Sequence, residues 1–149
     1  MAHTYSSILI HCVFSTKERR KSIPLELQPE LWRHLGGIAR SCRMKALAGV
    51  VSRTMPTLLL SLPATLAIAR AVQLIKGPSS KWMHEVCHHK QFEWQEGYGA
   101  FSIGVAQRDA TVAYICHQAE HHRRRDFKAE FLAFLKKHHV DYDPRYIWE

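Results

Sequence analysis

Within Thr111-Val-Ala-Tyr-Ile-Cys-His-Gln-Ala-Glu-His-His-Arg-Arg-Arg125, a phenol, an amide, imidazoles and three guanidinium groups fall on one short stretch. Helical spacing puts Tyr114 and Gln118 on the same face, because residues four apart are neighbours there. A phenol oxygen can attack phosphorus, and Arg123, Arg124 and Arg125 can hold an anionic substrate against it. That combination suits breaking a DNA phosphodiester. His117 with His121, and Gln118 with His122, also have the i, i+4 spacing of helical metal ligands. A zinc site there would need further ligands, which the sequence does not offer, so DNA or solvent contact is the better reading for these imidazoles.

Stepping outward, the elements around this segment must hold it against a strand of nucleic acid. The chain has 149 residues, enough for one domain with a real core, and we read 1–149 as that single domain. Its formal charge of +8, with a hydrophobic content of 46%, describes a folded basic protein with a polyanionic partner. Lys17, Arg19, Arg20 and Lys21 form a second basic run, Lys76 stands alone, and phosphate contact competes with plain solubility for all of them. Each true contact steepens the salt dependence of binding. Cys12, Cys42, Cys87 and Cys116 are scattered, which speaks against a disulfide framework or zinc knuckle. The polar start and the shortness of the apolar run Leu58 to Leu62 predict a soluble, cytoplasmic protein without a signal peptide or membrane span.

Tyr5 to Phe14 is predicted as a strand and Ser15 to Pro24 as a basic loop. Leu27, Leu31, Leu35 and Ile38 predict an amphipathic helix over Leu25 to Arg43. Met44 to Val51 and Thr57 to Leu62 are predicted strands. A helix over Ala64 to Lys76 is expected to stop at Gly77-Pro78, with a short helix from Ser79 to Cys87. A strand over Tyr98 to Val105 and helices over Asp109 to Arg123 and Asp126 to His138 complete the order. In the last helix Phe127, Phe131, Phe134 and Leu135 should point inward, and Lys136, Lys137, His138 and His139 form a solvated end. The aromatic tail Val140 to Glu149 should dock on the body. Trp32, Trp82, Trp94 and Trp148 are core residues or base-stacking platforms, with core packing favoured for most. This order is an α+β fold of the ferredoxin-like, RRM-like kind: a βαββαβ antiparallel sheet with helices on one face plus C-terminal helices.

Several tracts together resemble a known family. They are Val13-Phe-Ser-Thr-Lys17, Leu59-Leu-Ser-Leu-Pro63, Leu74-Ile-Lys-Gly-Pro-Ser-Ser-Lys-Trp82, Trp94-Gln-Glu-Gly-Tyr-Gly-Ala-Phe-Ser-Ile103, Tyr114-Ile-Cys-His-Gln118 with His121-His122, and Tyr142-Asp-Pro-Arg-Tyr-Ile-Trp148. In order and spacing they are similar to the single-tyrosine HUH transposases of the insertion-sequence 200/605 class, over nearly the whole chain. The resemblance implies a bacterial or archaeal enzyme that acts on single-stranded DNA with end hairpins. It implies a homodimer, with no membrane and no small-molecule substrate. It makes Tyr114 the nucleophile that leaves a 5′-phosphotyrosine and a free 3′-hydroxyl, and Gln118 one ligand of a Mg2+ or Mn2+ ion that polarises the scissile phosphate. A phenol in water titrates at about 10, so such help matters. The covalent link conserves the phosphodiester energy, and the strand rejoins without ATP.

The pattern breaks at the other two ligands. The family carries a His-x-His pair, usually preceded by Asp, whose alternation on a strand turns both imidazoles to one face. Those positions hold Met55 and Thr57 here, within Thr54-Met-Pro-Thr57. Met is too soft for a hard divalent ion, and Thr is at best a neutral oxygen donor. The replacement has a pattern of its own. A family stretch Gly-Val-Ala-Asp-His-Ala-His can be spelled GGT GTC GCG GAC CAT GCC CAC C. Read one nucleotide later, it becomes GTG TCG CGG ACC ATG CCC ACC, which translates to Val51 through Thr57 of this chain. The hypothesis is a one-nucleotide deletion near codons 49 to 51 with a compensating insertion near codon 58. The agreement depends on the wobble bases and on the alanine placed between the histidines, both free choices, and the gene's codons test it. Binding without cleavage is the alternative function. Gly97-Tyr-Gly-Ala-Phe101 is loosely similar to the aromatic RNA-binding strand of RRM domains, with Glu96 where a cation is expected.

Overall fold

The computed structural model describes residues 3–117 and 127–147. Four strands form an antiparallel sheet: β1 (Leu9–Val13), β2 (Lys45–Val51), β3 (Pro56–Ser61) and β4 (Gly99–Ile103), in the spatial order β2-β3-β1-β4. The helices are α1 (Gln28–Ser41), α2 (Ile68–Glu85), α3 (Arg108–Cys116) and α4 (Phe127–Lys137). The βαββαβ expectation is met, and the two C-terminal helices lie across the opposite sheet face from α1 and α2.

Strand alternation sorts the side chains between these faces. Ile10, Cys12 and Phe14 from β1 and its end, with Leu58 and Leu60 from β3, meet Leu31, Leu35 and Ile38 of α1 and Val72, Ile75 and Met83 of α2 in the larger core. Fully burying a residue such as Leu35 contributes about 2 kcal/mol. On the other face, Leu9, Ala48 and Leu59 receive Ile115 of α3, and Val13, Met55 and Phe101 receive Leu135 and Phe131 of α4. The β2–β3 register skips Leu47 between Ala46 and Ala48, and this bulge brings Leu47 and Ala48 together into the cluster around Ile115.

The helix after β3 departs from expectation. Gly77-Pro78 does not stop it: α2 is one helix of 18 residues with Pro78 inside. Proline removes one N–H, but tertiary contacts carry the helix through. Ser79 donates its hydroxyl to the Ile75 carbonyl at 2.6 Å, Trp94 Nε1 donates to Ser79 Oγ at 3.0 Å, and Met83 is fully buried. Helix α1 ends in a Schellman turn. Met44 N–H donates to the Ala39 carbonyl and Arg43 N–H to the Arg40 carbonyl, with Arg43 at φ 66° in the left-handed region. The first strand starts later than expected, leaving Tyr5 exposed. The tail docks only in part: Ile147 packs on the α4 cluster, whereas Tyr142 and Tyr146 are exposed.

One close approach is testable. A Cβ at Gly49 would fall 2.2 Å from Trp32 Cζ3 and 2.6 Å from its Cη2, so β2 and α1 meet through a glycine surface and an indole. Gly49→Ala should cost about 1–3 kcal/mol, read as a lower urea midpoint. Trp32→Leu in the same chain should recover much of the loss.

Candidate functional site

Helices α3 and α4 both pack on one face of the sheet and leave a cleft of about 520 Å³ between them. Gln107, Thr111 and Tyr114 line it from the α3 side, Glu130, Phe134, Lys137 and His138 from the α4 end, and His11 and Ile103 from the sheet. Tyr114 is half-buried, and its hydroxyl donates a hydrogen bond to Glu130 Oε1. Its ring meets His11 edge-on at 6.3 Å and Phe134 at 5.9 Å between centroids. Glu130 as a residue is only 4% exposed, on the cleft side of α4. Glu130, Phe134, Lys137 and His138 recur at i, i+4, i+7 and i+8, one helical face.

His11 is buried, and its Nε2 finds no hydrogen-bond partner. Burial, then the nearby charges of His138 and Lys137, push its pKa down to about 4, so the imidazole is neutral at pH 7. His138 stacks on Phe101 at 4.9 Å, and burial and its neighbours Lys137 and His139 lower its pKa as well. The end of α4, read from sequence as solvated, is therefore partly built into the cleft wall.

Met55 and Thr57 lie on this same sheet face, as the alternation argument requires. Thr57 is opposite Val13 in the β1–β3 register. Neither lines the cleft. Met55 is 2% exposed, packed with Val13, Phe101 and Leu135 below α4. Thr57 is buried with its Oγ1 unpartnered. Pro56 is the first residue of β3, where a missing N–H is tolerated. The turn before it is held by Ser52, whose N–H and hydroxyl both donate to the Met55 carbonyl, at 2.8 and 3.2 Å. Thus the substituted stretch makes a sound hairpin turn. As a donor set, a thioether in an apolar cluster and one hydroxyl do not fit a hard divalent cation. Among the described residues no group of three or more His, Cys, Asp or Glu side chains is placed to hold a metal.

The expected basic residues divide among places. Lys17, Arg19 and Lys76 line a second cleft of about 720 Å³, together with Glu93, Trp94 and Gln95. Lys17 pairs with Glu93 at 2.9 Å and Arg20 with Glu18 at 2.8 Å, all at the exposed surface, and Lys21 is exposed. Lys76 is tied down: its ammonium donates to the carbonyls of Gln95, Glu96 and Gly97 at 2.8, 3.3 and 2.6 Å. Burial lowers its pKa to about 8. Gln118, His121, His122, Arg123, Arg124 and Arg125 lie outside the described residues, as does Trp148. Trp94 is a core residue, and Trp82 stacks on His34 at 4.7 Å. All four cysteines are free, and burial pushes the Cys12 thiol up to about 12. Phe101, the RRM-like aromatic, is buried beneath α4 and is not open for stacking on a base.

The sequence model of the family described as IS200-like transposase matches residues 4–118. The chain belongs to that family. Two solved structures share the fold of this IS200-like transposase. One is a transposase-assigned protein of Deinococcus radiodurans R1, at TM-score 0.65 and 23% identity, covering 79% of this chain and 95% of that one. The other is a REP-associated tyrosine transposase bound to a REP hairpin, at TM-score 0.60 and 18% identity, covering 82% and 73%. No curated protein sequence matches the chain significantly. Among its described residues no helix is long and apolar enough to cross a membrane.

Sequence reasoning missed His11, Glu130, Lys137 and His138 as site residues. The i, i+4, i+7, i+8 recurrence on the last helix and a histidine alternating with Leu9 and Val13 on β1 were the available signals.

Proposed function

We propose that this IS200-like transposase binds single-stranded DNA carrying hairpins, and that its strand-cleaving step is impaired. In an intact member of this design, Tyr114 attacks a phosphodiester, becomes a 5′-phosphotyrosine and releases a 3′-hydroxyl. The strand is later rejoined by the reverse attack. The observation that carries the reading is the Tyr114 hydroxyl at an open cleft flanked by Lys137 and His138. A phosphate entering there would meet a nucleophilic oxygen and the Lys137 ammonium together. Gln118 would be a ligand of the Mg2+ or Mn2+ ion the family uses, and the protein would act as a homodimer. The residues at 55 and 57 do not complete that site. Lys17, Arg19, Arg20, Lys21 and Arg123 to Arg125 are the proposed phosphate contacts, with Lys76 supporting the loop beside them.

The burial of Met55 under α4 favours the second reading, retained binding without chemistry. Both parts are tested on the unmodified chain. Anisotropy with a labelled hairpin oligonucleotide should show binding whose log K falls with log salt by about 0.7 per phosphate contact. A denaturing gel with Mg2+ or Mn2+ should show little or no covalent adduct. Salt-insensitive or absent binding would remove DNA as the partner, and abundant adduct would remove the assignment of positions 55 and 57.

A further inference from the structure

We infer that Glu130 is the general base of this site: its carboxylate takes the proton of the Tyr114 phenol as that oxygen attacks phosphorus. The inference rests on Tyr114 being the nucleophile of the preceding section and adds the group that activates it. Three observations converge. The phenol is a hydrogen-bond donor to Glu130 Oε1, so the carboxylate is within reach of its proton. Glu130 is buried, yet it lines the cleft from which a substrate would arrive. Among the described residues lining the cleft, the other titratable groups are His11 from β1, Lys137 from α4 and His138 just past its end, and Glu130 is the only carboxylate. A base need only be within hydrogen-bond reach of the proton it abstracts.

The step balances. The phenol oxygen forms a bond to phosphorus while the phosphorus–3′-oxygen bond breaks. The phenol proton passes to Glu130, and the departing 3′-oxygen takes a proton from water. Glu130 later returns its proton to the solvent. Nothing in this proton transfer uses positions 55 and 57, so the activated phenol survives in the unmodified chain.

Diisopropyl fluorophosphate tests it without DNA. The Tyr114 oxygen would bond to phosphorus, fluoride would leave, and the proton would go to Glu130. Peptide mass spectrometry at pH 7 should find Tyr114 labelled at least about tenfold faster than the exposed Tyr5 and Tyr146. Glu130→Gln keeps an oxygen acceptor and the packing but cannot take the proton, and should slow Tyr114 labelling about a hundredfold. Raising the pH towards 10 should recover it as the phenol ionises unaided, while labelling of Tyr5 in the two proteins stays equal. A Tyr114 no faster than Tyr5 in the unmodified chain overturns the inference, as does equal labelling in Glu130→Gln, which would make the bond a brace between α3 and α4. Labelling that depends on Glu130, with no DNA adduct even after the His-x-His pair is restored, would instead count against the proposed strand cleavage, with the family membership unchanged, and leave the base standing.

Discussion

Restoring Thr54→Asp, Met55→His, Pro56→Ala and Thr57→His together should turn a chain that forms little covalent adduct into one that forms it readily with hairpin-bearing single-stranded DNA and Mg2+ or Mn2+. Lewis-acid help at a phosphoryl oxygen is worth several kcal/mol, and about 1.4 kcal/mol is tenfold in rate, so the gain should be about a hundredfold to ten-thousandfold. Tyr114→Phe in the same background should abolish it. The structure adds a cost. Position 55 is buried among Val13, Phe101 and Leu135, and an imidazole there without a partner should lower stability by about 1–3 kcal/mol. Metal bound by the folded state alone should return part of that. Thermal unfolding should therefore respond to Mn2+ in the restored protein and not in the unmodified one. A restored protein with neither metal response nor adduct would show that the missing pair is not what disables the chain. Adduct surviving Tyr114→Phe would remove the nucleophile assignment. The gene's codons give a separate check: if no one-nucleotide shift regenerates a His-x-His stretch, the frameshift explanation of residues 51–57 fails even where the restoration succeeds.

The unmodified stretch folds well because what the sheet requires of it is narrow. It needs a turn after Val51 and, from Pro56 on, a strand buried on both faces; Ser52 closes the turn, Thr57 and Leu59 fill one face, and Leu58 and Leu60 fill the other. Hydrogen bonding along β2 and β3 is indifferent to whether residues 55 and 57 can hold a metal. The same narrowness explains what could be read in advance. The Ile, Val and aromatic content around β1 and the spacing of Leu31, Leu35 and Ile38 in α1 are local signals, and the fold repeats them. Gly77-Pro78 misled because a local stop signal was overridden by contacts from afar: the Trp94–Ser79 bond joins residues 15 apart. Tyr114 stood out through its own neighbours in sequence. Glu130 did not, because its meaning depends on α4 crossing back over the sheet until a residue 16 positions later reaches the phenol. His11 looked like one more inward residue of a strand, and only the gap between α3 and α4 makes it the floor of a cleft.

That histidine should dominate the acid sensitivity of the fold. His11 titrates at about 4 when folded and at about 6.5 in an unfolded chain. At pH 7 it is neutral in both states and costs nothing electrostatically. Below about 6.5 the unfolded chain gains a proton that the folded one does not accept, so stability is present above the unfolded value and drains away as pH falls towards 4. The full loss is on the order of 3 kcal/mol for this group, most of it from desolvation, with the positive neighbours His138 and Lys137 adding to it. His11→Leu removes an imidazole whose Nε2 has no partner, so urea unfolding at pH 7.5 should change by no more than about 1 kcal/mol. Between pH 6.5 and 4.5 the variant should lose much less stability than the unmodified protein. A residual slope should remain, because burial also lowers the pKa of His34 and His138 and both are still present. Matching slopes in the two proteins would mean that His11 reaches water or a partner as the pH falls. The neutrality has a use at the site. An imidazolium 6.3 Å from the Tyr114 ring would compete with the phenol for the charge on Glu130. Burial keeps that charge off the cleft floor at neutral pH.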